Sequence, residues 1–403
     1  MTTSRGGQSA VPIDNNNPDA DAPTWVLVER RGRPMATDVS VRIAAPYALH
    51  AEAEAAADAC MAWFDEVDQR LSRFCPESEL SRMNVAAGEW FAASETLYEC
   101  VALAVASARA SDGLFDPTML RRLRDLGYDR DFEAIAHREV VGADMRPAPQ
   151  PSAARAAWRD IALDPERRRV RLPADAQVDL GGIAKGWSAD VALARYCAAF
   201  PGALINVGGD LRAQGGPQPG RLWSVDIRDP RRELAGAQED AAHLATVSLS
   251  RGALATSGAV RRWWLRNGQR QHHLLDPRTG CPVLLWVDGG DEPATLLATA
   301  TAFAPTAAQA EVAAKLALLR GYPLALSAVE SAWGRYGALG PENDPDVGVA
   351  LALVFGSGEV VFSRNLTDYL ASWGTDGAPL TMVAPSAIPN LTLDDFRRLE
   401  HRS

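Results

Sequence analysis

From Met35 onward the stretch MATDVSVRIAA alternates apolar with polar residues and predicts a strand. The period then lengthens. Ala59, Trp63, Val67, Leu71 and Phe74 recur at steps of four and three, which puts them on one face of a long helix over 48 to 74 that Pro76 closes. A turn at Ala87-Gly88 leads to a second helix over 94 to 110, and the Gly and Pro of SDGLFDPTM (111 to 119) make that stretch a loop. Residues 139 to 156 read as a loose insertion rich in Pro and Ala, and RRRVRLP and AQVDL as short strands. After Gly186, an apolar stripe of Trp187, Val191, Ala194 and Ala198 predicts a helix stopped by Pro201-Gly202. ALINVGG and LWSVDIRD read as strands, ALATSGAVRRWW as a turn-rich piece, ATATAFAP as a strand, and 306 to 320 as a helix. VGVALALVFGSGEVVF is a hairpin by pattern, and LDDFRRLEHR a short final helix with Thr392 as its N-cap. Strands in mixed runs with helices between them, without regular βαβ repetition, predict an α+β fold.

Composition narrows the function classes. With 403 residues and 47% hydrophobic content the chain can bury a large core and exceeds the usual size of one domain. A formal net charge of −10, with no basic cluster interleaved with aromatics, argues against a nucleic-acid partner. Cys60, Cys75, Cys100, Cys197 and Cys281 are odd in number and lack CxxC spacing, so reduced, structural thiols are expected. The first 24 residues are polar and lack the apolar run of a signal peptide, which predicts a disordered tail. No run of roughly 18 apolar residues offers a membrane span. A cytoplasmic protein is the expectation.

The chemistry concentrates in turns. In VDLGGIAKGWSAD (178 to 190), amides at Gly181, Gly182 and the first helical turn are expected to face an anion, with Lys185 adding positive charge. Phosphate or pyrophosphate suits that arrangement. The spacing is neither a Walker loop nor GxGxxG, and taken alone the stretch reads equally well as a Gly-rich turn with a solvated lysine. Asp116, Asp179, Asp190, Asn206, Asp210 and Asp276 also sit in turns after apolar runs, and so many similar turns suggest convergence on one site.

These residues carry a resemblance. MATDVSVRI, LSRFCPESELSRMN, SDGLFDPT, VDLGGIAKGWSAD, ALINVGGDLRAQG, WSVDIRDP, ALATSGAVRRWW and HHLLDPRTGCPV, in that order over about 35 to 320, resemble the ApbE family of flavin transferases. The resemblance implies an α+β, T-fold-related domain with mixed sheets and FAD held between two lobes. It implies magnesium beside the pyrophosphate, and transfer of FMN from FAD to a Ser or Thr of a target protein with release of AMP. Met35, Phe74, Leu114, Phe115, Asp116, Asp179, Lys185 and the backbone at Leu275 would line the FAD site, and a Gly182 carbonyl would ligate the metal. His273, the second of the His pair, matches the family's histidine and is the candidate general base, with a pKa expected near neutrality.

One helix departs from the family's pattern. Where an Asp and, four residues on, a Thr would bind the metal, the chain has Glu311 and Lys315. A carboxylate can serve magnesium; an ammonium has no lone pair to give. Lys315 is therefore expected either to take the cation's place, weakening or abolishing magnesium dependence, or to turn outward and pair with Glu311 at i, i+4. Ala259, where many relatives carry Asp, is a second departure without an assigned effect. The expected organisation is a tail at 1 to 24, a flavin transferase domain at 25 to 362 and a C-terminal extension at 363 to 403. An FAD pyrophosphatase and a non-catalytic FAD-binding protein are the competing readings.

Overall fold

The computed structural model describes residues 11–12, 25–135, 139–140, 157–230, 243–260, 262–266, 268–285, 295–331, 349–363, 366 and 370–372. Its centre is a nine-stranded sheet: β1 Val11–Pro12, β2 Trp25–Gly32, β3 Val39–Pro46, β4 Gly202–Val207, β5 Asp210–Gln214, β6 Arg251–Gly258, β7 Leu297–Ala304, β8 Ala350–Phe355 and β9 Val360–Phe362. The strands lie side by side in chain order, and every neighbouring pair is antiparallel. The predicted α+β class is the one observed, with helices inserted between strands rather than alternating with them.

Strand alternation gives this sheet two apolar faces. Val39, Val41 and Ile43 of β3, with Ala203, Ile205 and Val207 of β4, share a core with the helical layer. The helices are α1 His50–Leu71, α2 Glu79–Val85, α3 Glu95–Ala110, α4 Leu120–Asp125, α5 Phe132–Ile135, α6 Ala184–Ala192, α7 Ala307–Arg320 and α8 Leu324–Ser331; all but α4 and α5 contribute to that core, those two packing through Leu123 and Ile135 in a separate cluster with Trp264 and Leu275. On the opposite face Leu204, Leu211, Leu254 and Phe303 meet Trp223, Val225 and Val247 of a smaller antiparallel sheet built from Trp223–Arg228, His243–Leu249 and Leu370–Ser372. Each fully buried Leu, Ile or Phe contributes about 1.5–3 kcal/mol, so both faces hold their layers firmly.

Two close approaches fix the helices that build the site. Helices α6 and α7 touch at Gly186, where a Cβ would stand 2.4 Å from the Ala307 carbonyl oxygen. Asp190 of α6 then accepts from the Ala307 and Ala308 amides at 2.8 and 2.9 Å, and pairs with Arg212 at 3.1 Å. Thr306 completes the cap by accepting from the Gln309 amide.

Several expectations need correction. Helix α1 ends at Leu71, well before Pro76; its buried stripe includes the expected Trp63, Val67 and Leu71 together with Ala53, Ala57, Cys60 and Phe64, but leaves Ala59 half-buried and Phe74 outside the helix. AQVDL forms no strand; only a lone bridge joins Gln177 to Met119. ALATSGAVRRWW carries strand structure at both ends, in β6 and in Trp263–Arg266, because its small residues suit a crowded central sheet. The stripe after Gly186 slips, because a π turn at Leu193–Cys197 adds a residue to the period, and Ala194 and Ala198 are exposed. Within the expected tail, Val11–Pro12 pair with β2. The final helix at 392 and most of the loose insertion lie outside the described residues. Helices 94 to 110 and 306 to 320 and the 348 to 362 hairpin stand where expected. No helix among the described residues is long and apolar enough to cross a membrane.

Candidate active site

A cleft of about 1220 Å³ runs between the layers, walled by the η-turn before β3, the end of α1, the 114–117 loop, the Gly181–Gly182 turn, the β4–β5 turn, the small sheet and α7. Met35, Phe74, Leu114, Phe115, Asp116, Asp179, Gly182, Lys185, His273, Leu275 and Lys315 all contribute to its wall. Glu311 does not. It lies behind the wall with a side chain only 1% exposed. Of the six turn residues expected to converge, Asp116, Asp179 and Asn206 reach the cleft. Asp190 is spent capping α7, Asp276 binds Arg278, and Asp210 stands behind Lys185.

Local sequence explains the wall. Met35 holds a left-handed backbone (φ 57, ψ 30), a conformation costing a non-glycine residue of order 1 kcal/mol or more and common at functional sites. Asp116 accepts from the Thr118 amide at 2.7 Å and hydroxyl at 2.5 Å, the Asx arrangement that Asp-Pro turns favour. Burial raises its pKa, against those two bonds.

The Gly-rich turn is wired differently from the anion cradle expected of it. Asp179 takes the Gly181 amide at 2.9 Å, the Leu180 carbonyl takes those of Ile183 and Ala184, and Glu311 takes that of Gly186 at 2.9 Å. Most of the amides are therefore engaged within the protein. Lys185 is engaged as well: it forms an ion pair with Asp210 and lies 3.2 Å from Glu311. Burial alone would lower its pKa, but the two carboxylates outweigh that and hold it raised.

Glu311 joins two ammonium groups. Its Oε1 is 3.2 Å from both Lys185 Nζ and Lys315 Nζ. Burial would raise its pKa, yet the lysines keep it lowered; Asp210, buried and facing the same carboxylate, is raised to about 6. Lys315 thus makes the i, i+4 pair with Glu311 that one alternative described, but from an inward position. Its side chain is 15% exposed, and its Cε would lie 3.5 Å from a Cβ at Gly182. The donor set does not fit a magnesium ion: both oxygens of the carboxylate are taken by an amide and two cations, and an ammonium stands where a hydroxyl donor was needed. Among the described residues no group of three or more His, Cys, Asp or Glu could hold a metal.

The two histidines part company. His272 is buried, with Nε2 at 2.9 Å from the Val283 carbonyl and Nδ1 accepting from the Leu274 amide. His273 faces the cleft, bonds the Arg262 backbone through its ring, and leaves Nδ1 enclosed without a partner. Burial, then the charges of Arg262, His272 and Lys315, push its pKa well below 6.5 rather than leaving it near neutrality. The ring is neutral at pH 7. With its N–H committed to a backbone carbonyl, a lone pair remains on Nδ1, the arrangement of a poised proton acceptor.

Among the wall residues that the sequence reading missed are two arginines beside the site. Arg73, beside Phe74, is buried against the cleft, and Arg262 projects into it near Lys185 and His273. The only local signal for either was a cation inside an otherwise apolar stretch, LSRF and AVRRWW.

Comparison with known proteins agrees with this geometry. A model of the ApbE family matches residues 35–339. The FAD:protein FMN transferase of Haemophilus influenzae is 26% identical over 266 residues, covering 64% of this chain and 73% of the relative. That of Treponema pallidum is 29% identical over 288 residues, covering 68% and 73%. The crystal structure of the ApbE protein from Thermotoga maritima superposes with a TM-score of 0.64 at 25% identity, covering 85% of this chain and 99% of that one. The flavin transferase ApbE from Vibrio cholerae shares the fold, with a TM-score of 0.62 at 20% identity over 87% of this chain and all of that one.

Proposed function

The chain belongs to the ApbE family, and on that premise we propose that it is an FAD:protein FMN transferase that esterifies a Ser or Thr hydroxyl of an acceptor protein. The observation that carries this reading is His273, whose Nδ1 has no partner within the protein, lining the same cleft as Lys185 and Lys315. In the reaction, Nδ1 takes the hydroxyl proton as the acceptor oxygen bonds to the FMN-side phosphorus. The anhydride P–O bond breaks, and AMP leaves with the bridging oxygen and its electron pair. General-base help of this kind is worth about 100- to 10,000-fold.

Charge on the diphosphate is met by the protein's own cations in this reading. Lys315, held inward by Glu311, supplies positive charge beside Gly182, and Arg262 of the same cleft adds a second. Lys185 and Lys315 together balance Glu311 and Asp210, which limits the repulsion of the substrate by those carboxylates. Magnesium is then weakened or replaced as a requirement.

The test is incubation with FAD and a flavoprotein acceptor, reading AMP release and covalent flavin fluorescence in a denaturing gel. Both signals are expected, and both should fall by about 100-fold or more in His273→Ala. AMP without covalent flavin would mean a pyrophosphatase, and binding without AMP a storage protein. Turnover should persist in EDTA with the wild-type protein, whereas Lys315→Thr should become dependent on added magnesium. Complete loss of wild-type activity in EDTA would refute the role given to Lys315.

A further inference from the structure

Arg73 is a buried cation with unfinished hydrogen bonding. It follows the end of α1, its side chain is 5% exposed, and it borders the cleft. Nη1 donates to the Tyr128 carbonyl at 2.9 Å and Nε lies 3.4 Å from Asp179. The guanidinium carbon sits 4.2 Å from the Phe74 ring centre and 4.3 Å from that of Tyr128, wedged in the angle between two rings whose centres are 5.8 Å apart. Nη2 is buried and has no partner.

That state is costly and needs a reason. A charged donor left without an acceptor loses hydration without compensation, and native proteins keep few such groups. Here the neighbouring ring of Phe74 is 37% exposed and forms part of the cleft wall. The guanidinium already covers one face of Phe74, so a flat ring entering the cleft would meet it past the edge of Phe74, where the fork is held by Tyr128, Asp179 and the two aromatic faces.

We propose that Arg73 is a substrate-recognition residue, its Nη2 donating to an acceptor on the edge of a ring of FAD lodged in the cleft beside Phe74. This rests on the flavin reading of the cleft. The isoalloxazine and the adenine both present edge nitrogens or carbonyls, so the shared chemistry is a flat heteroaromatic ring with acceptors on its rim.

Calorimetric titration of wild type and Arg73→Lys with FAD, FMN and AMP tests it, together with steady-state kinetics. Lysine keeps the charge and loses the planar fork. FAD affinity is expected to fall about 10- to 100-fold, as for loss of a hydrogen bond to a charged group. The loss should fall on FMN alone or on AMP alone, which identifies the ring, and KM should rise while kcat holds. Unchanged FAD affinity, or equal weakening of FMN and AMP as expected if Arg73 merely props Asp179 and its turn, would overturn the proposal. Should the variant fail to fold, a crystal structure of the wild-type FAD complex decides. Nη2 within hydrogen-bond distance of a ring acceptor supports the assignment, and no ring atom near it refutes it. A wild type that binds no FAD overturns the flavin reading itself, a result distinct from a failure confined to Arg73.

Discussion

His272 and His273 differ by one position and by almost everything that decides what an imidazole does. His272, enclosed between the Val283 carbonyl and the Leu274 amide, has its pKa lowered to about 4 by burial, against the bond to Val283. Its unfolded value is near 6.5, so its contribution to stability is full above pH 6.5 and is lost as pH falls through 4. The loss amounts to roughly 3 kcal/mol. Denaturant unfolding of wild type and His272→Gln at a series of pH values should show the wild-type advantage shrinking across that window. His273 should set the acid limb of kcat/KM instead. Its depressed pKa places that limb below pH 6.5, and Lys315→Met, by removing one depressing cation, should move it upward; a wild-type limb at or above 6.5 would contradict the assignment. Sequence pointed to His273 through its neighbourhood, HHLLDPRTG, but not to its electrostatics, because Arg262 and Lys315 reach it only through the fold. The same limit hid Arg73, whose neighbours Tyr128 and Asp179 are remote in the chain.

Helices α6 and α7 show what periodicity can and cannot supply. The extent of α7 was readable from AEVAAKL and its Thr306 cap, since both signals are local. The register of the segment after Gly186 was not, because the π turn at Leu193–Cys197 adds a residue that no apolar pattern announces. Nor could Gly186 be read as anything but turn chemistry, although its task is to let the two helices meet at backbone distance. Gly186→Ala should therefore force the helices apart and destabilise by about 1–3 kcal/mol, more for Val. Thermal unfolding would detect it, and an unchanged melting temperature would show that the contact relaxes without strain. Because Lys185 and Glu311 ride on these same helices, the variant should also lose FAD affinity.

The cleft belongs to no single layer: its wall draws on Met35 between β2 and β3 of the central sheet, Asp226 of the small sheet, and Lys315 of the helices. A ligand filling it would touch all three, so on the proposed function FAD should stabilise the whole molecule. At 100 times Kd the gain is about 2.7 kcal/mol, which should raise the melting temperature by a few degrees. A layered α+β fold was legible because element types follow from local patterns. The sheet's strand order and the small sheet on its second face were not, since the chain gives no local sign of which strands pair.

The central sheet runs in chain order, yet the neighbours β3 and β4 are separated by residues 47–201, most of the helical layer. Ribbons on either side of that seam can zip from adjacent segments, whereas the seam itself joins ends that are far apart and bears the largest closure entropy. Its registration therefore comes late in refolding. The cleft, which straddles it at Ser40 and Asn206, is assembled only when the two halves have met.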